Sequence, residues 1–473
     1  MRKPLTRTGY GVLCFLMLFV FLMMLIMFPE QIEVRERNLY ITVVVSYIIC
    51  SVGYAAGIAK KGFYILEPSF MISILYFMMF HFAPLYNIVN DSSEVWGTDV
   101  LDGGIYATWI FTIAYLLFLL CYYNQITFGI RPSITYNDEN IQAENTRSDY
   151  ERLRVAVVIF IITYGIFLFN CIRSGMSLAY FFSFGRVEND VEFNMFQAGG
   201  AFAVLNNLVY CTLPACLYII ILSKRLWIKI GIFVLTFIPI YLRGFRYLMI
   251  AMILMPITYF YVSKKKSPPL KYCIIGIMLA FVGITYVEVT RVGISVGGGG
   301  VNVDASMFTF ERMWQSVQGN FDLYKSFYGA VLAFPEKHGY FWGEEMILAT
   351  AYTMIPRAIW PGKPVTPFMR TLDLSVGYKA SISGWAAPNI YEYYMDFGVI
   401  GCIICMMIFG CVWRRVFEND AENGSSLDKL VRYSCIYPLS FQLVIRGYTP
   451  MNFYTIVFIL ITIWAIEKIK VRE

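Results

Sequence analysis

The chain has 473 residues, of which 58% are hydrophobic, 18% are aromatic and only 15% are charged. Because a soluble domain carries about a quarter of charged residues, this composition excludes an ordinary soluble protein and predicts an integral membrane protein. The formal net charge of +6 predicts little by itself, since the distribution of basic residues between the loops matters more. We expect no nucleic-acid partner.

Apolar runs long enough to cross a bilayer recur along the chain. A helix needs about 20 apolar residues to span a hydrocarbon core about 30 Å thick. Runs of this kind lie at 10–28, 39–58, 69–88, 104–122, 153–172, 201–222, 226–242, 246–263, 270–289, 390–412, 431–446 and 451–467. The first is too long for a signal-peptide core and lacks a small-residue cleavage site, so it is predicted to be retained. The fold class predicted is an all-α bundle of about 12 membrane spans.

Basic residues set the expected orientation of these spans. They recur after every second span, as at Lys60–Lys61, Lys264–Lys266 and Arg414–Arg415, whereas the segment 89–103 has no Lys or Arg. Because short cytoplasmic loops carry the excess of Lys and Arg, both termini are predicted to be cytoplasmic. The chain then divides into three parts: 1–289, with spans 1–9 and short loops; 290–389, a large extracytoplasmic loop; and 390–473, with spans 10–12 and the cytoplasmic C-terminus.

The large loop has helical periodicity. Apolar residues recur every three or four positions from Phe310 to Val331, which predicts an amphipathic helix ending at Pro335. A second helix is predicted to begin at Gly343, with acidic residues in its first turn, and to stop at Pro356. Helices of this kind lie in the membrane interface or fold over a cavity between spans.

Several arginines fall on the predicted outer face, against the usual bias towards the cytoplasm. They include Arg173, Arg186, Arg243, Arg246, Arg291, Arg312, Arg357, Arg370 and Arg446. The planar guanidinium binds phosphate oxygens bidentately, so these arginines predict a site for a lipid-linked phosphate or pyrophosphate. The alternative is that they reach towards lipid headgroups or pair with acids such as Glu188 and Glu311.

Four segments, in this order, resemble the oligosaccharide repeat-unit polymerases of the O-antigen (Wzy-type) family. They are Leu242-Arg243-Gly244-Phe245-Arg246, then Ile355-Pro356-Arg357-Ala358-Ile359-Trp360-Pro361-Gly362-Lys363-Pro364, then Ala387 to Gly401, and finally Arg446-Gly447 before the last span. The resemblance covers the chain from about residue 150 to its end. The segment from Arg357 to Pro364 is the most specific of the four.

The resemblance implies an activity outside the cytoplasm. Repeat units carried on undecaprenyl pyrophosphate would be joined into O-antigen, capsule or exopolysaccharide, with no metal and no cofactor, by a fold similar to the GT-C membrane glycosyltransferases. It also implies a bacterial inner-membrane location, contact with the lipid bilayer and a chain-length regulator as a possible partner.

The same resemblance assigns roles to outer residues. Stabilisation of the departing pyrophosphate falls to Arg243, Arg246, Arg291, Arg357 and Lys363, with Arg186, Arg312 and Arg446 behind them. The candidates for the catalytic base are Glu345, Glu392 and His338, while Glu311, Asp322 and Glu344 are further outer acids. Each main candidate has a structural alternative: His338 lies in a turn, Glu345 suits a helix cap, and Glu392 enters a span where an arginine would be its expected partner.

Three other functions remain open from the residues. A flippase or transporter for lipid-linked oligosaccharide would also need outer arginines, but transporters usually have short loops, internal repeats and charges at the bilayer midplane. Here the ionisable residues Lys229, Glu288 and Asp396 lie near span ends. A glycan ligase would share the arginine chemistry. A metal-dependent lipid-sugar transferase is disfavoured, because Glu30, Glu33 and Glu36 are scattered in the first outer loop without an Asp pair.

Overall fold

The computed structural model consists of helices and their connections. It describes residues 17–18, 20–24, 26, 28, 33–90, 94–95, 97–124, 141–173, 207–242, 246–269, 271–273, 275–276, 278, 309, 315, 318–356, 359–377 and 385–468. Within these ranges the extended structure is limited to an isolated bridge between Val95 and Thr98. The all-α prediction is therefore confirmed for this part of the chain.

The described helices follow one another in chain order with short connections. They are α1 (Val34–Lys61), α2 (Pro68–Val89), α3 (Gly104–Asn124), α4 (Ile141–Arg173), α5 (Asn207–Leu222), α6 (Leu226–Leu242), α7 (Arg246–Ser263), α8 (Tyr324–Ala333), α9 (Glu344–Ala349, continued by Thr350–Thr353), α10 (Pro367–Val376), α11 (Asn389–Val416), α12 (Leu427–Ile436), α13 (Ser440–Ile445) and α14 (Thr449–Lys468).

Six described helices are long and apolar enough to cross a membrane: α1, α2, α3, α4, α11 and α14. Each corresponds to a predicted span, so the chain is a multi-pass membrane protein. The runs predicted at 201–222, 226–242 and 246–263 form the shorter apolar helices α5, α6 and α7. The run at 431–446 is divided between α12 and α13 by a 3₁₀ turn that contains Pro438. The runs at 10–28 and 270–289 lie largely outside the described residues.

Helix α3 lies between α1 and α11 in the core of the bundle. Its aromatic residues Phe111, Tyr115 and Phe118 are fully buried. Gly410 lets α11 approach α3 closely, because a Cβ at this position would lie 2.5 Å from the Phe118 carbonyl oxygen. Small residues allow such close backbone packing between helices in membranes. This core fixes the position of α11, which carries two buried acids at its outer end.

The predicted amphipathic helices are confirmed as α8 and α9, and α8 is tied to the spans by polar contacts. Asn87, at the end of α2, donates its side-chain N–H groups to Asp322 Oδ1 at 2.9 Å and to the Tyr324 hydroxyl at 3.0 Å. The Tyr328 hydroxyl lies 3.2 Å from Thr108 Oγ1 in α3. These bonds satisfy polar groups that would be costly to bury alone, and they hold the outer segment against the bundle.

Helix α11 is broken at Gly398, where φ is +64° and ψ is −150°. This backbone region is essentially open to glycine alone. Two carbonyls just before the break leave the helical pattern and accept hydrogen bonds from the outer segment: Met395 O from Phe341 N at 3.2 Å, and Asp396 O from Trp342 N at 2.8 Å. The break therefore creates the attachment point for the segment that leads into α9.

Replacing Gly398 with alanine is expected to lower the free energy of unfolding by roughly 1–3 kcal/mol. The added Cβ would adopt a strained backbone conformation and lie 2.8 Å from Tyr340 Cζ. Thermal unfolding of the detergent-purified protein measures the effect. Gly165→Ala in α4 is the matched control, because its Cβ meets no atom within 4 Å among the described residues. Equal melting temperatures for the two variants would contradict a constrained break.

Candidate functional site

Glu345 lies in the first turn of α9, and its side chain is fully buried. Its Oε2 accepts a hydrogen bond from the backbone N–H of Phe368 at 2.8 Å. Phe368 belongs to the first turn of α10, so the carboxylate faces the positive end of that helix dipole. Glu345 therefore caps a neighbouring helix, whereas the sequence left open a role in capping its own.

The second carboxylate oxygen of Glu345 is the distinctive feature of this region. Oε1 is buried and has no hydrogen-bond partner among the described residues. The hydroxyls of Tyr352 and Thr366 are likewise buried without such a partner there. Tyr352 and Tyr448 are both within electrostatic range of the Glu345 carboxyl. Because buried polar groups are normally paired, this concentration of unmet hydrogen-bonding capacity indicates a functional site.

Burial raises the pKa of the Glu345 carboxyl to about 8. Loss of solvation is the largest cause, and the N–H of Phe368 acts in the opposite direction. The negative charges of Asp396 and Glu344 raise the pKa further, while Arg370 lowers it. A carboxyl with a pKa near neutrality is suited to accept a proton from a substrate.

Glu392 is buried at the start of α11, but its oxygens are occupied. Both lie within hydrogen-bond distance of the Thr449 backbone N–H, at 2.9 and 3.2 Å, and Oε2 also accepts from the Thr449 hydroxyl. Thr449 begins α14, so Glu392 joins the outer ends of two spans and its described partner is Thr449, where an arginine was predicted. We assign Glu392 a structural role.

His338 is exposed in the turn that follows α8. Its Nδ1 lies 2.7 Å from the carbonyl oxygen of Gly339, and its ring stacks on Phe341 at a centroid distance of 4.6 Å. These contacts are local, and they do not bring His338 together with Glu345. The structural alternative for this histidine is therefore favoured.

Glu344, the neighbour of Glu345, points towards water instead. It forms a salt bridge with Arg370 of α10, and both side chains are partly exposed. The Arg370 guanidinium also lies over the Phe341 ring, 5.6 Å from its centroid. The adjacent acids Glu344 and Glu345 thus have different environments, and only the second has a raised pKa resolved.

The family comparison decides the class of protein. A family described as "O-antigen polysaccharide polymerase Wzy" matches residues 11–472, which is nearly the whole chain. The chain belongs to the O-antigen polysaccharide polymerase family. No curated protein and no solved structure matches it. The resemblance found in the sequence from about residue 150 is confirmed, and it extends almost to the N-terminus.

The cations expected of an O-antigen polymerase are only partly described. Arg186, Arg243, Arg291, Arg312 and Arg357 lie outside the described residues, and Arg246 is described as the first residue of α7. Lys363 donates its ammonium to the carbonyl oxygens of Thr353 at 3.1 Å and Ile355 at 3.0 Å, at the C-terminal end of α9. That contact is typical of a helix cap.

Arg446 is exposed between α13 and α14 in this O-antigen polymerase. The N–H of the next residue, Gly447, donates to Ala387 O at 2.9 Å, and Asn452 Nδ2 donates to Arg446 O at 2.9 Å. These bonds place Arg446 where the outer ends of α11 and α14 meet. Of the predicted arginines, it is the one whose surroundings are best described.

Sequence reasoning gave little weight to several residues of the site. Asp396 was noted only as an ionisable residue near a span end, and Tyr352, Thr366 and Tyr448 were not singled out. The sequence signal that could have marked Asp396 is its position two residues before Gly398, because a helix broken by glycine leaves an acid free to bind another segment. The unpaired hydroxyls have no comparable signal.

Proposed function

We propose that this protein joins oligosaccharide repeat units carried on undecaprenyl pyrophosphate into a surface polysaccharide. Membership of the O-antigen polymerase family supports the substrate class and the polymerising reaction. The proposed location is the extracytoplasmic face of the bacterial inner membrane, with both termini cytoplasmic, as the distribution of Lys and Arg indicates. The proposed transfer needs no metal, because hydrogen bonding and fixed cations supply the required stabilisation.

The observation that carries the mechanism is the free, buried oxygen of Glu345. We assign Glu345 as the general base, since its Oε2 is fixed by Phe368 and its Oε1 remains available. Its raised pKa gives it an affinity for protons that an exposed glutamate lacks. Glu392 has both oxygens engaged and His338 is turned to water, so neither has the same combination.

The proposed reaction transfers the growing glycan to a new repeat unit. A hydroxyl at the non-reducing end of the new unit attacks the anomeric carbon of the growing glycan, and its proton passes to Glu345 Oε1. A new C–O bond forms, while the bond from that carbon to the pyrophosphate oxygen breaks. The pyrophosphate leaves with the electron pair, and its developing charge requires fixed cations. Arg243, Arg246, Arg291, Arg357, Arg446 and Lys363 are proposed for this role.

The outer face of α9 suits a lipid-linked substrate. Ile347 and Leu348 are 64% and 57% exposed, whereas Glu345 on the same helix is fully buried. The Tyr454 hydroxyl of α14 donates to Thr350 O, so α9 runs beside the first turns of a span. An exposed apolar face in this position is suited to contact with acyl or prenyl chains. A helix of this kind separates the lipid phase from the buried carboxylate.

The rate of chain extension is expected to depend on pH through Glu345. The base is active only when deprotonated, and its pKa is about 8. The rate should therefore rise with pH up to about 8 and level off above it, with about a tenth of the plateau rate at pH 7. Initial rates of extension between pH 6 and 9 test this expectation. A plateau that begins below pH 6 would contradict the assignment of this carboxyl.

Reconstitution distinguishes polymerisation from transport. Liposomes that contain the full-length protein and one labelled lipid-linked repeat unit are expected to form a ladder of longer products. A flippase would move the label between leaflets without lengthening it. A glycan ligase would require a different acceptor. Movement without lengthening would overturn the proposal in favour of transport.

A further inference from the structure

We propose that Asp396 is a positioning residue, which orients the Glu345 carboxylate by binding the backbone at the start of α9. The inference rests on the proposed function of Glu345 as the base. Asp396 is fully buried near the outer end of α11, two residues before the break at Gly398.

The carboxylate of Asp396 binds the N–H groups of the first turn of α9. Its Oδ2 accepts from Met346 N at 2.9 Å, and its Oδ1 accepts from Glu345 N at 3.3 Å. The residue before α9, Gly343, has no side chain to cap these donors and lies in the left-handed region, with φ of +92°. Asp396 thus supplies from another helix the cap that α9 lacks locally.

The backbone of the same residue also holds the segment that enters α9. Asp396 O accepts from Trp342 N at 2.8 Å, and the preceding carbonyl, Met395 O, accepts from Phe341 N at 3.2 Å. Side chain and main chain therefore bind both sides of Gly343. The direction of the Glu345 side chain is set by the backbone that Asp396 holds from one side, and by Phe368 N from the other.

Two carboxylates are an expensive solution if the only task is to cap a helix. An asparagine has one acceptor oxygen, so it could receive the two N–H groups only by sharing. An aspartate adds a negative charge close to Glu345, which raises the pKa of Glu345. We infer that Asp396 both aligns the base and increases its affinity for a proton.

Other groups act on Glu345 from the elements packed around it. Glu344 raises its pKa and Arg370 lowers it, and Glu392 of α11 is within electrostatic range. The surrounding tyrosines are Tyr352, Tyr391 and Tyr448. Since Asp396 is the larger of the two acidic contributions to the shift, its neutralisation should have a clear effect.

The test compares the pH profiles of extension for full-length wild type, Asp396→Asn, Glu345→Gln and Asp102→Asn. Asp396→Asn is expected to move the midpoint to lower pH and to reduce the plateau rate about tenfold through misalignment of the base. Asp102→Asn removes the same charge from an exposed carboxylate paired with Arg35, and is expected to match wild type. A lower plateau with an unchanged midpoint would reduce Asp396 to a structural residue and overturn the inference.

A second variant keeps the inference testable if Asp396→Asn does not fold. Asp396→Glu retains the charge but lengthens the side chain, so we expect a wild-type midpoint and a plateau about tenfold lower. A wild-type plateau in this variant would overturn the inference. Activity retained by Glu345→Gln would instead overturn the assignment of the base. An inactive Glu345→Gln beside a wild-type profile for Asp396→Asn would overturn the role of Asp396 alone.

Discussion

Replacing Glu345 with glutamine is expected to lower the rate of chain extension at least ~100-fold. Glutamine is close in size and can still accept a hydrogen bond from Phe368 N, but it cannot take a proton from the acceptor hydroxyl. Gel analysis of the surface glycan should show single repeat units on the lipid acceptor where wild type gives a ladder. Glu336→Gln, which changes an exposed acid of the same outer segment, is the matched control.

The stability of this variant separates a catalytic effect from a structural one. Glu345 is buried with a raised pKa, so its neutral isostere should not destabilise the fold below pH 8. We expect equal expression and an unchanged melting temperature alongside the lost ladder. A normal ladder in Glu345→Gln would rule out this residue as the base.

Removal of single arginines should have the second largest effect. Arg446→Ala is expected to lower extension about 100-fold, the usual cost of losing one preorganised group that stabilises developing negative charge. Arg446 is exposed at the junction of α11 and α14, where a pyrophosphate could reach it. Arg243→Ala, Arg246→Ala and Arg291→Ala are expected to behave in the same way. The measurement is the length distribution of the products from one lipid-linked repeat unit.

Arg37→Ala is the control for these arginines. Arg37 is exposed in the first turn of α1, on the outer side in the proposed orientation, and has no assigned role. It should extend chains at the wild-type rate. Wild-type product lengths in all four arginine variants would contradict pyrophosphate binding at this site, although Glu345 could remain the base.

The helical class and the outer segment could be predicted from the sequence because both depend on local patterns. Apolar runs of sufficient length gave α1, α2, α3, α4, α11 and α14, and three- and four-residue spacing gave α8. The count of spans was less predictable. The runs that became α5, α6 and α7 are apolar but form shorter helices, and Pro438 divides another run into two.

The site was predictable in its residue types but not in its geometry. Glu345 and Glu392 were equal candidates in the sequence, because both are acids near the start of an outer helix. Their difference arises from contacts distant in the chain: Thr449 occupies Glu392 from 57 residues away, whereas Phe368 leaves one oxygen of Glu345 free. Spacing along one helix cannot reveal such a difference. The same reason explains why Asp396 was not recognised as the cap of α9.

The most direct test of the central claim uses purified full-length protein, one lipid-linked repeat unit and a metal chelator. Wild type and Glu336→Gln are predicted to produce a ladder of longer glycans, while Glu345→Gln leaves single units. A ladder from wild type that appears only after a divalent cation is restored would contradict metal-independent transfer. Equal ladders from wild type and Glu345→Gln would contradict the central role of the Glu345 carboxylate.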